Sequence, residues 1–314
     1  MSPEIPLIDL RQWRTGSTAE QNALMHAVDR HLQRVGFLML RNHGLPALVT
    51  NRARAAAHSF FALPATRKQA HTTQAAYRGW IALGLESNAS SYDKNDAQAD
   101  IIDLKEAYSV GPVFPGFAEL QTTAPRWYAD NIWPDQDIPG FQSALTEWSM
   151  CADRLTLELL SILTRALGFA PDWVTEHCDK PMATVTANLY PQVDAQGGWR
   201  VGAHTDFGTI TLLDRDNDNG LQVNLGDPAN EQWVDAPAIA DTLTMNLGEM
   251  MVLLSAGRWR ANPHRVIARP GASANLSLIY FHDPNHDTPL PQNPLGATTA
   301  ADFLGHKMDQ IIQG

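Results

Sequence analysis

Val201-Gly202-Ala203-His204-Thr205-Asp206-Phe207-Gly208, read together with Asn262-Pro263-His264-Arg265-Val266, decides how this chain folds and what it holds. On a strand, side chains alternate between faces, so His204 and Asp206 share one face and bring an imidazole and a carboxylate to one point. His264 is a second imidazole able to complete the set. Two histidines and one carboxylate on one face of an octahedral metal leave about three positions open, a donor set suited to ferrous iron. Alone, His-x-Asp carries little weight, because the pair is common in solvated turns. The setting carries more. Gly208-Thr209-Ile210-Thr211-Leu212-Leu213 is a β-branched and apolar run, residues 214–220 are rich in turn formers, and Leu221-Gln222-Val223 follows, which reads as strand, hairpin, strand. Residues 243–248 and 251–255 read as two more short strands before His264, so both ligand segments fall in one β region.

The same texture runs from Met182 onward. Strands are expected at 184–190, 199–205, 209–213, 221–224, 232–235, 243–247, 251–254, 265–268 and 276–281, separated by turns, a series that suggests a double-sheet jelly roll with the metal inside. Before it, residues 5–10 read as a short strand. Ser17-Thr18-Ala19-Glu20 has the spacing of a capping box, and Leu24, Val28, His31, Leu32 and Val35 recur at helical intervals up to Gly36, expected as a left-handed cap. Residues 37–40 read as a strand and Pro46 opens a helix to about Leu63. Residues 72–139 are loop-rich, of the kind that walls a binding site or merely covers the surface. Leu145, Ala152, Leu155, Leu159, Ile162 and Ala166 stripe a long helix over 141–167 stopped by Gly168. The expected architecture is mainly β with flanking helices: an N-terminal helical and loop region (1–140), a long helix and connection (141–181), a jelly-roll catalytic core (182–285) and a C-terminal extension (286–314).

Composition narrows the function. Of 314 residues 44% are hydrophobic and 18% charged, which suits a globular protein. A net charge of -11 without a cluster of Lys and Arg argues against nucleic acid or an anionic membrane as partner. Cys151 and Cys178 are too few and too far apart for a disulfide framework and read as reduced buried thiols. No apolar run reaches the ~18 residues of a membrane span and no leader is evident, so a cytoplasmic protein, monomeric or weakly oligomeric, is expected.

Several stretches together carry a resemblance: Ile5-Pro6-Leu7-Ile8-Asp9-Leu10, Val35-Gly36-Phe37, Asn42-His43-Gly44-Leu45-Pro46, Phe60-Phe61-Ala62-Leu63-Pro64, Tyr77-Arg78-Gly79-Trp80, Asp103-Leu104-Lys105-Glu106, Asn188-Leu189-Tyr190-Pro191, His204-Thr205-Asp206, Gly220-Leu221-Gln222-Val223 and Pro263-His264-Arg265-Val266. Over nearly its whole length the chain resembles the isopenicillin N synthase-like family of Fe(II)- and 2-oxoglutarate-dependent oxygenases. The resemblance implies a jelly-roll core, iron held by His204, Asp206 and His264, and use of 2-oxoglutarate and O2 to oxidise a small molecule. Asn188 and Tyr190 resemble family positions near the cosubstrate or substrate.

One departure stands out. Members using 2-oxoglutarate carry Arg-x-Ser on the last core strand, the guanidinium clamping the distal carboxylate; here the matching residues are Asn275-Leu276-Ser277. Arg200 is the first candidate for a substitute, since it lies an even number of residues before His204; Arg265 and Arg269 follow behind it. The other options are a different 2-oxo acid, or an oxidase that needs none. Arg78, Trp80, Arg200 and Phe281 are expected to line the pocket and to favour a substrate with a carboxylate and some apolar surface. A non-catalytic jelly-roll binding protein and a Zn(II) hydrolase are the competing readings. Retention of all three metal ligands speaks against the first, and the lack of a general base beside the metal against the second.

Overall fold

The computed structural model describes residues 4–72, 77–86, 103–113, 117–192, 199–216, 220–226, 230–269, 271 and 273–312. Its strands are β1 (Leu7–Asp9), β2 (Phe37–Arg41), β3 (Gly79–Ile81), β4 (Glu106–Val110), β5 (Thr184–Tyr190), β6 (Trp199–His204), β7 (Ile210–Arg215), β8 (Leu221–Asn224), β9 (Trp233–Asp235), β10 (Thr242–Leu247), β11 (His264–Ile267) and β12 (Asn275–His282). The helices are α1 (Arg11–Thr15), α2 (Thr18–Arg34), α3 (Ala47–Phe61), α4 (Ala65–Lys68), α5 (Phe117–Thr123), α6 (Phe141–Leu167), α7 (Trp173–His177), α8 (Glu249–Leu254) and α9 (Ala300–Ile312).

Two sheets face each other. The larger runs β1-β2-β10-β7-β12-β5-β4-β3 and the smaller β6-β11-β8-β9. The residues lining their interior alternate along each strand: Thr184, Thr186, Asn188 and Tyr190 on β5, and Ser277, Ile279 and Phe281 on β12. The opposite face of the large sheet packs on helices. Leu145, Ala152, Leu155, Leu159 and Ile162 of α6 are buried there with Val28 and Leu32 of α2 and Ala53, Ala57 and Phe60 of α3. Phe60, Tyr108 and Phe141 interlock with ring centroids 4.5–5.8 Å apart. Gly168 closes α6 in the left-handed conformation at φ 74°, its N–H donating back to Arg165 and Thr164 carbonyls. The capping box at Ser17 and Glu20 is formed in both directions.

Three expectations change. The stretch 251–254 is helical, not extended: Glu249, Met250, Met251 and the leucines after them favour a helix, and the free N–H groups of Glu249 and Met250 donate to the Asp206 and Phe207 carbonyls at 2.9 Å. α8 thus braces the ligand loop. Gly36 does not cap α2 in the left-handed region; it is needed because a Cβ there would overlap the Arg260 carbonyl, where two segments cross. The loop-rich span also contains β3 and β4, which join the large sheet through β5; these strands have 3 and 5 residues, too short for periodicity to announce. With β1 and β2 paired onto the other side through β10, one sheet spans the N-terminal region and the jelly-roll core.

Candidate metal centre

His204 ends β6 and His264 begins β11, and the two lie opposite each other in the antiparallel register. Their ring centroids are 4.2 Å apart. Asp206 is past the end of β6, so strand alternation does not bring it in. Two donors on the facing sheet hold it instead: Thr211 Oγ1 and Asn246 Nδ2, cross-strand partners on β7 and β10, each donate to Oδ2 at 2.6 Å. Oδ1 is left facing both imidazoles, 3.8 Å from each Nε2.

Both rings are oriented from behind. His204 Nδ1 lies 2.9 Å from the Gly202 carbonyl and His264 Nδ1 3.4 Å from that of Asn262, so the N–H sits on Nδ1 and the Nε2 lone pairs point to the shared space. Burial pushes His264 down to about 4, with the charge of His204 acting in the same direction, which keeps its imidazole neutral. Burial alone would raise Asp206, but His264, His204, Thr211 and Asn246 hold its carboxyl below the ordinary value. Two imidazole nitrogens and one carboxylate oxygen within 4.8 Å of one another fit a ferrous ion on three sites and leave the rest open. No second such cluster of His, Cys, Asp or Glu occurs among the described residues.

The triad opens into a cavity of about 480 Å³. Asn188, Tyr190, Ser277, Arg78 and Phe281 line it. Trp80 does not: it sits on the opposite face of β3 from Ile81, which does, and its indole donates to Glu106 at 2.8 Å under Lys68. Its aromatic character marked a core residue. Asn275 is the cross-strand partner of Tyr190, buried, and its Oδ1 has no partner. Arg265 lies outside, stacked between Trp199 and Trp233 at 4.3 and 3.9 Å, and Arg269 pairs with Asp235. Arg200, expected to line the cavity, does not: it is fully buried behind the lining, its Cζ 5.9 Å from the ring of Tyr190, which does line it.

Other lining groups were not among the expected site residues. Lys105 and Glu86 form an ion pair in the wall, α9 contributes Leu304 and Met308, and Asp283 presents a buried carboxylate whose Oδ1 has no partner. Lys105 is marked in sequence by the stretch Asp103-Leu104-Lys105-Glu106, and Asp283 by its place just after the last strand. Burial pushes it up to about 7, with the nearby charge of Asp206 adding to the effect.

Comparison with known proteins agrees with this geometry. Residues 5–136 match the family described as "non-haem dioxygenase in morphine synthesis N-terminal" and residues 181–284 the "2OG-Fe(II) oxygenase superfamily". Validamycin A dioxygenase of Streptomyces hygroscopicus subsp. limoneus is 34% identical over 92% of this chain and 80% of its own. Proline hydroxylase buaE of Petromyces alliaceus is 30% identical over 90% and 88%. Among solved structures, a full-length Neurospora crassa protein in complex with alpha-KG is similar at a TM-score of 0.81 and 25% identity, covering 97% of this chain and 96% of that one. Two imidazoles and one carboxylate facing a cavity inside paired sheets, with family matches on both halves of the chain, lead to one conclusion: the chain belongs to the 2OG-Fe(II) oxygenase superfamily.

Proposed function

We propose that this enzyme oxidises a C–H bond of a small polar metabolite of specialised metabolism, one that carries a hydrogen-bond donor near the reacting carbon and an acidic group further out. The observation that carries the reading is Asp283: a buried carboxylate in the cavity with an unmet oxygen wants a hydroxyl or amine to donate to it. Arg78, buried in the same wall and braced by the Trp127 carbonyl at 2.9 Å, supplies positive charge for the acidic group. Phe281, Ile279 and Met308 offer apolar surface between. Two of the relatives named above are, by name, a Validamycin A dioxygenase and a proline hydroxylase, which supports a small-molecule substrate. The expectation of a cytoplasmic enzyme, monomeric or weakly oligomeric, belongs to the same reading; both cysteines are free and buried, and among the described residues no helix is long and apolar enough to cross a membrane.

His204, Asp206 and His264 would hold Fe(II), with 2-oxoglutarate and O2 as the other reactants. The metal and 2-oxo acid together supply an oxidant able to break an unactivated C–H bond. What the chain does is position: Thr211 and Asn246 keep Asp206 Oδ2 engaged so that Oδ1 faces the metal position, while the apolar walls exclude water. The test is substrate-dependent formation of succinate with small hydroxylated or amine-bearing acids. Asp283→Asn should raise KM for the accepted substrate roughly tenfold or more, an amide meeting the donor without charge. An unchanged KM in Asp283→Asn would remove the donor requirement, and an unchanged KM in Arg78→Leu the acidic group.

A further inference from the structure

We propose that Arg200 receives the distal carboxylate of the 2-oxo diacid, a role open because Asn275 stands where the resemblance expects arginine; the inference rests on the cosubstrate reading above. A diacid that would chelate the metal through one end carries a second carboxylate toward the end of the cavity away from it. A buried carboxylate without a counter-charge is expensive, so a cation must await it.

The described basic side chains near that end are few, and most are engaged elsewhere. Lys105 lines the cavity but is paired with Glu86; burial works against its charge, and Glu86 and Asp103 together hold it protonated. Arg215 donates from Nη2 to the Ala236 and Pro237 carbonyls, while Arg265 and Arg269 lie outside. Arg200 differs from all of them. It is fully buried and forms no ion pair among the described residues, and only Nη2 is satisfied, by the carbonyls of Pro191 at 3.0 Å and Ser273 at 3.3 Å. Nε and Nη1 are buried without an acceptor. A guanidinium has five donors in a planar fork that fits a carboxylate two bonds at a time, and leaving two of its three nitrogens unmet in a dry interior is a standing cost.

Its neighbourhood matches that need. The guanidinium carbon lies 5.9 Å from the Tyr190 ring; Tyr190 pairs across the sheet with Asn275, whose own buried oxygen is unmet, and Ser277 follows two residues along on the cavity side. Two orphaned guanidinium nitrogens, beside two hydroxyl groups and the side-chain amide of Asn275, mark a place prepared for an anion. The backbone explains how Arg200 gets there. In the β6–β11 register Val201 opposes Val266 and Trp199 opposes Ile267, so Arg200 is an extra residue, and such a bulge re-aims a side chain that alternation would send elsewhere. The even spacing from His204 does not place it, because the register shifts once between His204 and Val201 and again at Arg200 itself.

The experiment measures anaerobic binding to the Fe(II) protein through the weak visible band of the iron–2-oxo acid chelate, comparing 2-oxoglutarate with 2-oxobutyrate, which lacks the distal carboxylate. The wild type should prefer 2-oxoglutarate by roughly ten- to a hundredfold, and Arg200→Gln should bring that ratio close to one while the affinity for 2-oxobutyrate stays the same. A ratio that survives in Arg200→Gln, or that collapses in Lys105→Met instead, overturns the assignment. If Arg200→Gln does not fold, Arg200→Lys is read in the same way: one ammonium cannot meet the fork, so the ratio should fall severalfold, and an unchanged ratio overturns the proposal. No band with either acid in the iron-loaded wild type would defeat the cosubstrate reading itself, whereas equal affinity for the two defeats Arg200 alone.

Discussion

Thr211 and Asn246 face each other across β7 and β10, and both donate to the same oxygen of Asp206 at 2.6 Å. The consequence is a carboxylate with one oxygen tied to the large sheet and the other free for a metal held by histidines of the small sheet. The centre therefore bridges the two sheets, and its geometry depends on how they pack.

Removing either donor should loosen iron without unfolding the protein. Thr211→Val and Asn246→Ala are each expected to weaken Fe(II) affinity by roughly ten- to a hundredfold, the usual effect of losing a group that orients a ligand. Anaerobic Fe(II) titration checks this, with the melting temperature of the metal-free protein as control. Unchanged affinity in both variants would show that Asp206 needs no such support.

Gly36→Ala should destabilise the fold by about 1–3 kcal/mol, as overpacking does. The added methyl would overlap the Arg260 carbonyl, and relief requires moving the segment that leads into His264. Denaturant unfolding measures the loss. A stability equal to that of the wild type would mean that the two segments part freely.

Asp29 on α2 should make stability acid-sensitive. Burial alone would raise its carboxyl, but bonds from Arg258 at 2.6 and 2.8 Å, from Trp259 at 2.9 Å and from Gln33 at 3.0 Å bring it below the ordinary value. A depressed folded-state pKa contributes stability above the unfolded value, about 3.9, and that contribution is lost as pH falls through the folded value. Asp29→Asn should accordingly melt below the wild type at pH 7, and the gap should shrink as the pH falls from about 3.9 through the lower folded value. A gap constant with pH would show that the lost contacts, not the charge, matter.

Phe281→Ala should enlarge the cavity beside the triad and raise KM for the substrate while leaving 2-oxoglutarate affinity within about threefold, because its ring lines the cavity four residues along β12 from Ser277. Separate saturation curves for the two ligands make the check. An equal loss for both would place Phe281 in general packing.

Local pattern carried far in this chain. The strands from Thr184 onward were legible because alternating side chains and turn residues recur at short range, and α6 because its apolar stripe holds helical spacing over 27 residues. The short strands β3 and β4 were not, since they exist as strands only through pairing with β5. Trp80 carried the wrong implication for the same reason: which face of β3 meets the cavity is set by its partner strand.

Taken alone, then, the amino-acid order determined the two-sheet architecture, the residue types able to bind iron and the missing arginine at Asn275, all properties of neighbours within a few positions. Tertiary structure decided the rest. Asp206 reaches the histidines through donors from β7 and β10, and Arg200 comes to lie beside Tyr190 through a bulge against β11. Asn246 is 40 residues from Asp206, and Thr211, only 5 away, reaches it through its place on β7, so strand register, which no local spacing encodes, sets which side chains meet.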